Sequence, residues 1–121
     1  TYLSLFDALG LCKLIAFHCR PGLLDFQFFS ELIQHSTGLN LTPEEIFEVG
    51  ERIVTLERMF IVREGIRRKD DSPPQRYFES LNDLRLDREK FEQMLDEYYQ
   101  FRGFDKEGKP LEETIKRLGL K

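Results

Sequence analysis

The sequence has no tryptophan and only two cysteines and two histidines in 121 residues. Two cysteines are too few for a disulfide scaffold, so a reducing, cytoplasmic home is expected. His18 and His35 lie far from any serine or cysteine nucleophile signature, which leaves no basis for a catalytic triad. HExxH, GxxxxGK and glycine-rich dinucleotide loops are missing too, and with them the usual marks of zinc proteases and nucleotide-binding folds. The longest apolar stretch, Leu3 to Phe17, is broken by Asp7 and Lys13, so it does not read as a membrane span. No basic segment with an apolar core opens the chain, and no secretory signal is expected. An excess of positive charge is also lacking. With 18 Lys and Arg against 22 Asp and Glu the net charge is -4, which argues against nucleic acid or an anionic membrane as partner.

What is present describes a folded domain. Hydrophobic residues make up 40% and charged residues 33%, and eleven Phe and four Tyr supply a large aromatic payload. Residues 1–121 read as a single domain. Because Thr1 is not a Met and apolar residues begin at once, the expectation is a piece of a longer chain.

Hydrophobic spacing is helical nearly throughout. From Thr42 to about Arg63, Thr42 can cap a helix, Pro43 takes its first position and Glu45 completes a capping box. Behind them Ile46, Val49, Ile53, Leu56 and Phe60 recur at steps of three and four, the pattern of one buried face. Gly65 is placed to end this helix. A second helix, about Arg88 to Arg102, has Asp87 as cap, Leu86 and Phe91 as a staple, and a stripe of Phe91, Met94, Leu95, Tyr98 and Phe101. Those two helices are expected to pack through their stripes. Shorter helices are expected over Leu9 to Arg20, Phe26 to Gln34 (capped by Asp25) and Leu111 to Leu118. The fold class is all-α: a compact, bundle-like domain of about five helices.

Candidate chemistry is sparse. Glu44, Glu45, Glu48, Glu51 and Glu57 read as a solvated helix face, with Glu48 paired to Arg52. Asp105-Lys106-Glu107-Gly108 resembles the start of a calcium loop but lacks alternating ligands and a closing Glu, so it reads as a turn. Arg63, Arg67, Arg68 and Lys69 are answered by Asp70 and Asp71, which favours local charge balance over an anion site. Cys12 and Cys19, seven residues apart on the expected helix, would sit about 10 Å from each other, beyond a disulfide's reach. His18 and Cys19 together do not make a closed metal site.

One segment stands out, Asp7-Ala8-Leu9-Gly10-Leu11-Cys12-Lys13. It joins a carboxylate able to accept two parallel N–H bonds, a glycine where the backbone can bend, and a thiol five residues after the carboxylate. A thiolate is the standard iron–sulfur ligand. An amphipathic helix start, with Asp7 as cap and Cys12 buried, is the plainer alternative.

"DALGLCK" resembles the DxxGLCK segment of the tungsten-containing aldehyde ferredoxin oxidoreductases. The stretch "LTPEEIFEVGERIVTLERMFIVREGIRRKDDSPPQR" is similar to that family's TPEE…GERI…LER…REG..RKDD run, and "MLDEYYQFRGFDKEGKP" to its MLDEYY.LRGWD..G.P close. Thr55, Phe60-Ile61 and Phe104 depart from that pattern. The resemblance covers nearly the whole chain and implies the family's C-terminal domain. It implies an enzyme that oxidises aldehydes to carboxylic acids with water at tungsten (or molybdenum) held by two pterins, with electrons passing through a 4Fe–4S cluster to ferredoxin. Residue by residue, it implies that Asp7 binds a pterin, that Cys12 is a cluster ligand, and that Leu11 and Lys13 flank the cofactor. No catalytic residue is expected here; those, and the other ligands, are expected in upstream domains of the same chain. The fragment alone is expected to be inactive, with the segment around Asp7 exposed and Leu3, Leu5 and Phe6 less buried than their hydrophobicity suggests. A homodimer is left open. The alternative reading is a non-catalytic helical interaction domain related to that family.

Overall fold

The computed structural model describes residues 1–12, 14, 25–79 and 85–121. Among them are five α-helices: α1 (Tyr2–Ala8), α2 (Phe26–Thr37), α3 (Pro43–Arg63), α4 (Arg88–Arg102) and α5 (Glu112–Arg117). Two short 3-10 turns, Arg68–Asp71 and Gln75–Tyr77, follow α3. No strand occurs among the described residues; Phe104 and Pro110 form an isolated bridge. The all-α expectation holds. The chain divides into two compact units, Thr1–Val54 and Thr55–Lys121.

Caps define most of the helix starts. The Thr42 N–H donates to Glu45 Oε2 at 2.8 Å and the Glu45 N–H to Thr42 Oγ1 at 3.2 Å, so the expected capping box opens α3. Asp25 Oδ1 accepts from the Phe28 N–H at 2.8 Å, and Asp87 Oδ1 from the Lys90 N–H at 3.1 Å. These bonds satisfy donors that a helix start otherwise leaves open.

The first unit is held by Leu5, Phe6, Phe29 and Ile46, with Tyr2, Phe26, Phe28 and Val49 packed around them. Its rings meet edge to face, Phe6 with Phe29 at 5.1 Å and Tyr2 with Phe6 at 5.3 Å between centroids, the geometry ring quadrupoles favour. Leu5 and Phe6 are therefore 2% and 1% exposed, which corrects the expectation that they would be poorly covered. Leu3 alone of the three stays exposed. The helix expected to start at Leu9 is also corrected. Helix α1 ends at Ala8, and Leu9 to Cys12 form its exit. Leu14 is helical, and residues 15–20 of that expected helix lie outside the described residues.

In the second unit the interior is partly polar. Beyond Val54 the buried positions of α3 become Thr55, Arg58 and Val62, while Leu56 and Phe60, expected inside, are 53% and 55% exposed. On α4 the buried residue is Tyr99, with Phe91 and Leu95 half-buried, whereas Met94, Tyr98 and Phe101 are exposed. Helices α3 and α4 do meet in this unit, but through Arg58 and Tyr99 rather than through the expected stripes. A polar knot occupies the inner faces, and the apolar neighbours are turned outward.

Candidate functional site

The segment singled out in the sequence forms the exit of α1. Gly10 has φ 67°, a conformation that a side chain disfavours by about 1–2 kcal/mol. Its N–H donates to the Asp7 carbonyl at 3.2 Å, and the Leu11 N–H to the Phe6 carbonyl at 2.8 Å. This pair of bonds is a Schellman closure, in which the residue after the glycine packs back on the helix. Leu11 does so, lying against the core of the first unit. The consequence for function lies on either side of that anchor. Asp7 is exposed on the last turn of α1, and Cys12, directly after the anchored Leu11, is a free, exposed cysteine. Asp7 is thus a helix residue rather than a cap, and Cys12 is not a core residue. Lys13, His18 and Cys19 lie outside the described residues.

What this arrangement can bind follows from donor count. Two exposed groups, a carboxylate and a thiol, flank one hydrogen-bonded turn. A thiolate supplies a single ligand, whereas a four-iron cluster needs four. Among the described residues no group of three or more His, Cys, Asp or Glu could hold a metal ion. Cys12 fits as one donor to a shared site, and Asp7 fits as an acceptor for a planar N–H edge.

A second constellation, not anticipated from the sequence, lies in the second unit. Arg58 donates from both terminal nitrogens to Asp71, at 2.8 and 2.6 Å, and from Nε to the Gly108 carbonyl at 2.6 Å. The Tyr99 hydroxyl donates a short hydrogen bond to Asp71 and lies 3.4 Å from Arg58 Nη2. Burial raises the Asp71 carboxyl, but hydrogen bonds from Arg58 and Tyr99 outweigh it and hold that group below its usual range. Burial, reinforced by Asp71, pushes the Tyr99 hydroxyl well above its ordinary value. Arg68 is held similarly, by Glu92 and Asp96 at 2.6 Å each, with its guanidinium over the Tyr99 ring. Only Arg63 of the basic run pairs with an adjacent acid, Glu64 at 3.4 Å, and Arg68 is not balanced by Asp70 or Asp71 as expected. Asp71 serves Arg58, Arg68 is paired across 24 and 28 residues, and Asp70 accepts from the Arg67 N–H to cap its own turn.

Other acidic residues fall mostly where expected. Glu48 pairs with Arg52 at 3.6 Å, but Glu51 is buried rather than solvated. Asp105 Oδ1 accepts from the N–H groups of Glu107 and Lys109 at 2.9 Å each, so the calcium-like segment is a turn. His35 is exposed at the end of α2.

Comparison with known proteins assigns this architecture. A sequence model described as "Aldehyde ferredoxin oxidoreductase, domains 2 & 3" matches residues 1–120. The chain belongs to the aldehyde ferredoxin oxidoreductase family. It is 30% identical to the WOR-like subunit of an aliphatic sulfonate oxidoreductase from Pyrococcus furiosus, over 97% of this chain and 20% of that protein. It is 29% identical to the tungsten-containing aldehyde ferredoxin oxidoreductase of the same organism, over 97% of this chain and 19% of that one. Among solved structures it resembles the active-site complex BamBC of benzoyl coenzyme A reductase bound to 1,5-dienoyl-CoA. There the TM-score is 0.83 at 28% identity, covering 98% of this chain and 17% of the other. The chain spans about a fifth of the length of the curated relatives it matches.

The polar knot explains much of the motif content that carries the family resemblance. Arg58 comes from the LER run, Asp71 from RKDD, Tyr99 from DEYY and Gly108 from the closing D..G.P. Those residues build the second unit's interior in this chain, whereas Asp7 and Cys12 of the DALGLCK segment are exposed.

Proposed function

We propose that residues 1–121 act as a C-terminal domain of a cytoplasmic tungstopterin aldehyde ferredoxin oxidoreductase, in which Asp7 binds a pterin and Cys12 is one ligand of a 4Fe–4S cluster. The bis-pterin tungsten (or molybdenum) centre supplies aldehyde oxidation by water to a carboxylic acid, and the cluster supplies single-electron passage to ferredoxin. Four of this chain's own residues take part. The Asp7 carboxylate accepts a pair of N–H bonds and so orients the ring it meets. The Cys12 thiolate contributes one metal bond. Leu11, anchored in the core, fixes the backbone between the two, and Lys13 offers a cation beside an anionic cofactor. The observation that carries the reading is the exit turn of α1, which packs Leu11 against the core and leaves Cys12 free and exposed. Exposed large hydrophobics on α3 and α4 support upstream domains of the same chain as partners.

The test uses the full-length protein. Cys12→Ser should lower iron content and block ferredoxin reduction, while Cys19→Ser should leave both near wild type. Equal losses in the two variants would overturn the assignment of Cys12. Asp7→Asn should lower retained tungsten or molybdenum with little change in iron; an unchanged metal content would remove Asp7 from the pterin site. If no DxxGL segment and no CxxCxxxC cluster motif lie upstream, the reading of a non-catalytic helical domain replaces this one.

A further inference from the structure

Helix α1 divides its side chains between core and solvent. Leu5 and Phe6 are buried, and Tyr2 and Leu9 pack against the same cluster. With 3.6 residues per turn, those four positions define the inward side. Leu3 and Asp7, one turn apart, then share the outward side. Both are exposed. Leu3, at 40%, is the one large apolar side chain of α1 turned to solvent, and the core cluster closes without it. Direction matters as much as face. Side chains on an α-helix lean toward its N-terminus, so the surface that a residue covers lies over the preceding turn. The Asp7 carboxylate therefore leans back over the turn that carries Leu3 and Ser4. Ser4 is half-buried, which leaves Leu3 as the exposed neighbour of that carboxylate.

We propose that Leu3 is a further contact of the pterin, packing its isobutyl group against a face of the ring whose N–H edge Asp7 accepts. This rests on the pterin reading of Asp7 given above. The pairing of an exposed carboxylate with an exposed leucine on one helix side favours such a ligand. An anion would be repelled by Asp7, and a small hydrated cation would gain nothing from Leu3. A flat ring with N–H donors on its edge uses both. A carboxylate that accepts two parallel N–H bonds lies in the plane of its partner and grips only the edge. The ring's faces are left to apolar cover, and a leucine one turn back along the helix supplies it. Leu3 thus acts by covering the ring, whereas Leu11 acts on the other side of Asp7 by anchoring the backbone.

Cofactor release from the full-length protein tests this without recourse to turnover. After anaerobic transfer into cofactor-free buffer, tungsten or molybdenum and iron are followed by elemental analysis, and released pterin by its fluorescence after oxidation. Covering the exposed part of one leucine is worth about three- to eightfold in retention. Leu3→Ser should therefore speed the loss of tungsten or molybdenum and of pterin by that factor, with iron unchanged. Leu3→Met keeps the apolar volume and should stay near wild type. Leu39→Ser makes the same change at another exposed leucine of the first unit and should alter none of the three. Faster release in Asp7→Asn with unchanged release in Leu3→Ser would overturn the contact and leave the pterin reading standing. Unchanged release in Asp7→Asn would remove that reading, and the Leu3 contact with it. Iron lost together with the other metal in Leu3→Ser would mean that Leu3 packs against protein rather than pterin. A loss of equal size in Leu39→Ser would reduce the effect to uncovered apolar surface in general and overturn the assignment.

Discussion

At the residue scale, Gly108 shows how tightly the polar knot is closed. Its φ is 77°, and a Cβ there would lie 2.0 Å from Arg58 Nη2 and 2.8 Å from the Tyr99 hydroxyl. Gly108→Ala should therefore lose more than the ~1–2 kcal/mol that a left-handed alanine costs by itself. Gly65, with φ 98° and nothing within 4 Å of its Cβ position, supplies the control, and Gly65→Ala should show only that conformational part. Denaturant midpoints of the two variants decide it; equal losses would mean that the knot yields freely. The same cluster sets the pH response. Asp71 is held below its usual range, so its stabilisation is present above about pH 4 and fades as the pH falls. Tyr99 is held above its usual range, so its stabilisation is present below about pH 10 and fades as the pH rises. Tyr99→Phe should flatten the alkaline limb of a melting-temperature profile, and Asp71→Asn the acid limb. Little of this is legible in the sequence, because Arg58 meets Asp71 and Tyr99 across 13 and 41 residues. Neighbouring charges offered a nearer and wrong pairing.

At the element scale, local signals were legible wherever the physics is local. The Thr42–Glu45 box and the Asp25 and Asp87 caps each join residues three apart. Periodicity located α2 to α5 but missed α1, and it found the buried faces only partly. On α3 the expected stripe is right at Ile46, which is 1% exposed, and wrong at Leu56, which is 53% exposed. The reason is that Thr55 and Arg58 take the inner positions of the second unit, and a hydrophobicity pattern cannot foresee a buried arginine whose partners lie elsewhere. Chemical denaturation should reproduce the split. Ile46→Ala should cost about 2–5 kcal/mol as a buried truncation, and Leu56→Ala about 0.5 kcal/mol or less as a surface one. A large loss at Leu56 would mean that another surface covers it. Arginine partly shields the outward aromatics, with Arg102 over Tyr98 at 5.3 Å and over Phe101 at 5.8 Å.

At the scale of the whole molecule, family and fold class were legible because the motifs run in order along nearly the entire chain. The candidate segment, Asp7 to Lys13, stood out by its residue types, but its geometry was not legible: nothing in the spacing said that α1 would end at Ala8 and that Gly10 would turn the chain so that Leu11 packs inward and Cys12 is left exposed. That geometry has a consequence for the chain when purified by itself. Four-iron clusters need four protein ligands, and this sequence holds two cysteines, of which Cys12 is the one in the proposed cofactor segment. Asp7 alone would leave most of a pterin's polar edge without a preorganised partner, and tight binding needs those partners in place. The 121-residue chain should therefore be colourless, with no charge-transfer absorbance from thiolate to iron, no stoichiometric tungsten by elemental analysis and no aldehyde oxidation. Its Cys12 thiol should react with a maleimide at once, since it is free and exposed. A brown preparation with about four irons per chain would overturn this, because cluster ligands would then have to come from Cys19 and His18 or from neighbouring copies. Gel filtration of such a preparation separates those two sources, since shared ligands require an oligomer and internal ones do not.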